Sequence, residues 1–216
     1  MQGETLRNRI DKLETTGDLR NLFYRYQNYL EPTIYKNPRV DFDNDEGHIN
    51  VFIIRNNAIG IANDSLRNND YLIVTENSSA ESEGSIYVFS VTADPKTKRP
   101  GIAFALPCQW NGNIGFHHWL NWRDCIRQDN DDVWVRRYKA DGSYYEEKGR
   151  FTIHIHDSGG FFNSSLGCTI LASDDSYQSM FRPLLKKVKK TQTRVPVSLI
   201  DKDVFFYLTS QILKIS

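Results

Sequence analysis

The chain has 216 residues, 39% of them apolar, with 27 basic and 27 acidic side chains. That length suits one domain with room for a small appendage, and it is ample for a hydrophobic core. Zero formal charge removes the electrostatic case for nucleic acid, and no stretch nears the ~18 consecutive apolar residues that span a bilayer.

The N-terminus is polar. MQGETLRNRIDKLE has no apolar stretch of the kind a secretory leader needs, so the expectation is either synthesis in the cytoplasm or a leader already removed. Leu6, Ile10 and Leu13 recur at helical spacing. Asp18 is placed to cap a second helix, DLRNLFYRYQNYLE, with Leu19, Leu22, Phe23, Tyr26 and Leu30 on one stripe. Pro32 and Pro38 end it, and DFDNDEGH reads as a linker. Residues 1–45 are therefore expected to form a helical appendage, and 46–216 the main domain.

The pattern then changes. INVFIIRN, NDYLIVTEN, GSIYVFSVTAD, PGIAFAL, DDVWVRRYK and RFTIHIH are rich in β-branched and aromatic residues. Turn clusters separate them, among them NSSAESEG, DPKTKRPG, NGNIG and ADGSYYEEKG. This predicts a mainly β domain. YQSMFRPLLKKVKK reads as a helix broken or kinked at Pro183, with its lysines on a solvated face. VPVSLI and VFFYLTSQIL read as late strand or helix.

The chemistry concentrates in FTIHIHDSGGFFNSSLGC, residues 151–168. In an extended chain Phe151, Ile153 and Ile155 share one face, and Thr152, His154 and His156 the other. A loop rich in Gly, Ser and Asn follows and ends at Gly167-Cys168. A thiol beside an imidazole is the minimal activated nucleophile: the ring takes the proton and the sulfur attacks a carbonyl. Backbone N–H groups near Gly167 could hold the resulting oxyanion. The bland alternative is a buried cysteine acting as a small apolar side chain. Cys108 and Cys125, which follow apolar and aromatic runs, fit that description better. Two imidazoles on one strand face also permit a zinc site if Asp157, His117 or Cys168 supplies a third ligand. The spacing does not single one out; a metal-dependent hydrolase built on His154 and His156 and a non-catalytic relative that keeps the fold and binds a partner are the competing readings, and the one favoured here has no metal and no cofactor. In NIGFHHWLNW, His117 and Trp119 could line a cleft; the plainer reading is a satisfied histidine beside aromatic packing.

His156, a glycine-containing loop, and then Ser165-Leu166-Gly167-Cys168 together resemble the active-site signature of the L,D-transpeptidase family, cysteine enzymes of peptidoglycan cross-linking. The likeness is greatest to a shorter-loop branch common in phage and bacterial genomes. It extends over roughly residues 50–210 through Arg55, Asn63-Asp64, the Thr92–Pro95 turn, Gly115–His117 and Gln128. The main family carries a histidine two residues before the cysteine, where this chain has Leu166, and Thr169-Ile170 follow the cysteine. The resemblance implies an L,D-transpeptidase-like β-sandwich or barrel. It implies Cys168 as nucleophile and His156 as general base, oriented by the backbone carbonyl of Asp157. The oxyanion site would lie around Gly167, with His154, Ser165, His117, Asp157 and Trp119 toward substrate. The implied substrate is a peptidoglycan stem peptide, with acyl transfer to an amine or to water. Action at the periplasm or cell wall would then require delivery by lysis or secretion.

Overall fold

The computed structural model describes residues 4–37, 39–56, 69–79, 84–95, 98–117, 123–157, 167–172 and 176–213. The protein is mainly β. Eight strands form a closed barrel: β1 (Ile49–Arg55), β2 (Asp70–Glu76), β3 (Ser85–Thr92), β5 (Cys108–Phe116), β6 (Asp124–Arg127), β9 (His154–Asp157), β10 (Thr169–Leu171) and β11 (Val195–Asp201). Around the barrel the order is β1-β11-β5-β6-β9-β10-β3-β2. The β1–β11 and β9–β10 pairs are parallel, and the others antiparallel. A second sheet pairs β4 (Ala103–Ala105), β7 (Val133–Tyr138) and β8 (Tyr144–Gly149).

Strand alternation creates two cores. Ile49, Val51 and Ile53 of β1 join apolar side chains from every other barrel strand, and this cluster is the barrel interior. Phe52 and Ile54, one residue out of phase, pack outward with Ile73 and Ile200. They are covered by α1 (Leu6–Ile10), α2 (Thr16–Leu30) and α4 (Lys202–Ile212). Phe23 of α2 sits edge-on to Phe42 and Phe52, with ring centroids 5.6 and 6.4 Å away. The apolar faces of α1 and α2, with Val40 and Phe42, thus share one apolar layer with the barrel wall. Among the described residues, no helix is long and apolar enough to cross a membrane.

Several local expectations change. Thr15, rather than Asp18, caps α2: its hydroxyl accepts from the Asp18 N–H at 3.1 Å, and the Asp18 carboxylate accepts from the Thr15 N–H at 3.0 Å. This reciprocal box draws Gly17 into the first turn. NGNIG lies inside β5 rather than in a turn, because the barrel seam needs a residue without a side chain at Gly112, where a Cβ would run into Ile126. The turn in ADGSYYEEKG is confined to its first residues, where Gly142 has φ 83°, and the rest is β8. VPVSLI is strand β11 and VFFYLTSQI belongs to helix α4. At Pro183 the chain runs from a π-helical turn (Tyr177–Phe181) into α3 (Arg182–Val188), which accommodates the N–H that proline lacks. Leu184, Leu185 and Val188 are buried, while Lys186, Lys187, Lys189 and Lys190 face solvent.

Buried polar groups brace the strand ends beside the loops. Arg55 is fully buried. It pairs with Asp94 at 3.1 Å and Asp201 at 3.3 Å, and donates to the Ala105 carbonyl at 2.5 Å. Gln128 donates to the carbonyls of Asp131 and Gly149 and accepts from the Phe151 N–H at 2.8 Å. It thereby fixes the segment that leads into β9.

Candidate active site

The predicted strand over residues 150–156 begins late. Only His154–Asp157 form β9, and Thr152 ahead of it has φ 55°. A left-handed backbone is unusual for a β-branched residue. It breaks the simple alternation before His154. From Ile153 onward the alternation holds: Ile153 and Ile155 enter the barrel core, and His154 and His156 take the opposite side. Both rings are buried rather than turned to open solvent, at 1% and 9% exposed.

Cys168 reaches these rings through the parallel β9–β10 pair. Thr169 is in register with Ile155 and Ile170 with His156, so Cys168 falls one step back, beside His154. The thiol donates weakly to the Thr152 carbonyl at 3.7 Å. The backbone of His154 also hydrogen-bonds the sulfur. Gly167 has φ 143°, and a Cβ there would stand 2.9 Å from the Ala103 carbonyl oxygen. Only glycine lets the chain pass this close to β4 and deliver Cys168 to β9. Arg55, bonded to Ala105, anchors the same β4 strand from behind.

His117, the residue after β5, completes the cluster. Its ring centroid lies 4.7 Å from that of His156 and 5.1 Å from that of His154, edge to face in both cases. One ring nitrogen each from His117 and His156 and the Cys168 sulfur lie within 4.8 Å of one another. The His156 Nδ1–H donates to the Asp157 backbone carbonyl at 2.5 Å. Nε2 is therefore the nitrogen that keeps a lone pair. The Asp157 carboxylate is buried and held by Arg123 at 3.0 Å, which fixes the peptide whose carbonyl orients the ring.

Burial sets the resting charges. It pushes the His156 pKa down to about 4, with His117 adding to the effect, so the ring is neutral at ordinary pH. Burial also pushes the Cys168 thiol up, against the hydrogen bond from His154. Part of Cys168 reaches solvent, but protein atoms crowd its sulfur. The site therefore rests as thiol and neutral imidazole. Cys108 and Cys125 are buried and pushed up to about 12.

His117, His154, His156, Asp157, Gly167 and Cys168 are brought together at one place; Ser165, Trp119, Asn63 and Asp64 lie outside the described residues. Sequence reading missed three contributors. Arg123 carries no motif, and its role comes from meeting Asp157 across strands. Cys125 precedes Ile126, which pairs with Ile155, so it lies on the histidine side of the sheet, where an ionised Cys168 would push its thiol further up. Thr152 showed only as one residue of a strand, and its left-handed backbone had no signal.

Taken together, fold and site define a mainly β barrel protein with a thiol–imidazole–carbonyl constellation on its wall. No family model, no curated protein and no solved structure matches the chain.

Proposed function

We propose that the protein is a cysteine acyltransferase or hydrolase of the L,D-transpeptidase type, acting on peptidoglycan stem peptides. The observation that carries this reading is the line from the Cys168 sulfur to the His156 ring to the Asp157 carbonyl. It is the base-and-orienter arrangement that nucleophilic catalysis needs. A neutral His156 can accept a proton, and the thiol has one to give.

In this mechanism the thiol proton passes to His156 Nε2 as sulfur attacks the carbonyl of the diamino acid in a tetrapeptide stem. The imidazolium that forms is stabilised through Nδ1–H by the Asp157 carbonyl. It returns the proton to the departing terminal D-amino acid. An acceptor amine or water then attacks the thioester, with His156 taking and returning a proton a second time. The thiolate arises only during attack, which suits a crowded sulfur whose pKa is raised.

The test is mass spectrometry of muropeptides incubated with wild type and with Cys168→Ala. Loss of the terminal D-amino acid, with or without cross-link formation, is expected from wild type alone. Equal processing by both proteins, or none by wild type, would overturn the reading.

A further inference from the structure

We infer that the same site is a binding site for a thiophilic divalent cation of the Zn²⁺ class, held by Cys168 Sγ, His156 Nε2 and a ring nitrogen of His117. The inference rests on the acyl-transfer reading only for its consequence: bound metal occupies both nucleophile and base, and so switches the chemistry off.

The geometry comes first. Three soft or borderline donors from three separate places in the chain converge within 4.8 Å of one another. A tetrahedral zinc site with Zn–S near 2.3 Å and Zn–N near 2.0–2.1 Å needs donors about 3.3–3.7 Å apart. Side-chain rotation of roughly 1 Å closes that gap. Ring orientation points the same way. Metal-bound histidines usually donate their other ring N–H to a carbonyl or carboxylate, which fixes tautomer and ring plane. His156 does this toward Asp157, and Arg123 holds Asp157 in turn. Donor chemistry agrees. A thiolate with two imidazoles selects zinc-like ions over Mg²⁺ or Ca²⁺, and three protein ligands leave a fourth position for water. His154 abuts the His117 ring but is not one of the three, so the sequence-level pairing of His154 with His156 gives way to His117 with His156.

Asp43, Asp45 and His48 form the other convergent group among the described residues. It is built as a clasp instead. The His48 Nδ1 bonds both Asp43 oxygens at 3.0 and 2.9 Å, and Asp43 also accepts from the Asp45 N–H and from Gln192.

Charge balance is simple. The Cys168 S–H gives up its proton to solvent as the S–metal bond forms, while His156 keeps its Nδ1 proton. Binding therefore releases about one proton per ion at neutral pH.

The experiment titrates metal-free, full-length protein with Zn²⁺ by calorimetry in buffers of different ionisation enthalpy, and with Co²⁺ by absorbance. Expected are about one ion per chain, the proton release just given, and a thiolate-to-cobalt charge-transfer band that Cys168→Ser abolishes. His117→Ala, which removes a direct ligand, should weaken Zn²⁺ binding by more than the roughly 10–100-fold that loss of an outer orienting partner costs, and His48→Ala should leave it unchanged. Should Cys168→Ser fold poorly, alkylation of the folded wild type at Cys168 must block the band equally. Absence of the band, or affinity lost in His48→Ala and kept in Cys168→Ser, would overturn the inference. Stem-peptide cleavage by the metal-free protein is scored separately. Cleavage without zinc affinity sinks this inference alone, and zinc affinity without cleavage sinks the acyl-transfer reading alone. Cleavage only by the zinc-loaded protein sinks that reading and the switching-off together.

Discussion

Replacing Gly167 with alanine tests whether the delivery of Cys168 depends on the close passage against β4. Two costs combine at this position. The backbone sits at φ 143°, a region L side chains rarely adopt, and holding a non-glycine residue in such a region costs of order 1–3 kcal/mol. The new Cβ would also stand 2.9 Å from the Ala103 oxygen, and that oxygen is backbone of a strand anchored by Arg55. Gly101 separates the two costs: it has φ 89°, but a Cβ there meets nothing within 4 Å. Gly101→Ala should therefore show the backbone cost alone. Gly167→Ala should lose at least about 2 kcal/mol, which for a chain of this size lowers the melting temperature by about 4–8 °C. Thermal unfolding of both variants and of wild type measures the difference. A second readout is alkylation of Cys168 in the folded protein. Relief of the contact moves the residue before the nucleophile, so the Cys168 rate should change while Gly101→Ala leaves it alone. If Gly167→Ala is no less stable than Gly101→Ala, and its thiol reacts at the wild-type rate, the packing argument is wrong.

Three further outcomes are expected. His156→Ala should lower turnover of stem peptides by about 10²–10⁴, and His154→Ala by less, because the Asp157-oriented ring is the one that moves the proton; a larger loss from His154→Ala would place the base on the wrong residue. Burial raises the Asp94 carboxyl from 3.8 to about 7 despite Arg55 beside it, so the folded state binds more protons than the unfolded one over that range, and this group's contribution falls as pH rises. Chemical denaturation of Asp94→Asn relative to wild type should thus show the variant gaining on the order of 4 kcal/mol between pH 4 and pH 8; taking the difference cancels the opposite contribution of His156, and a flat difference would refute the assignment. Phe23→Ala should cost about 3–5 kcal/mol in equilibrium unfolding, since Phe23 is 1% exposed between Phe42 and Phe52; a cost under 1 kcal/mol would mean that the helices contribute little to the barrel.

The residues of the chain already carry much of this molecule. Short runs rich in β-branched and aromatic residues, set between turn clusters, carry the mainly β class, because both signals are local; the runs read as continuous apolar stretches since both faces of the barrel wall are buried. The stripe Leu19, Leu22, Phe23, Tyr26 and Leu30 fixes a helix with one buried face, and all five are buried. His156, Gly167 and Cys168 are legible as one constellation because a strand, a loop and a glycine before a cysteine are all written locally. Tertiary structure alone decides the rest. His117 lies far from Cys168 in sequence, and only the closed order β5-β6-β9-β10 brings its ring to His156. Arg123 gains its role from the Asp157 it meets across that seam. Gly167 is legible as a small residue, but the reason for it, the Ala103 carbonyl, belongs to a different sheet. The protonation states follow the same division. The sequence supplies a thiol and an imidazole, and burial sets both pKa values, leaving the pair neutral at rest. Desolvation depends on everything packed around a group, so no reading of neighbours along the chain could have given its sign.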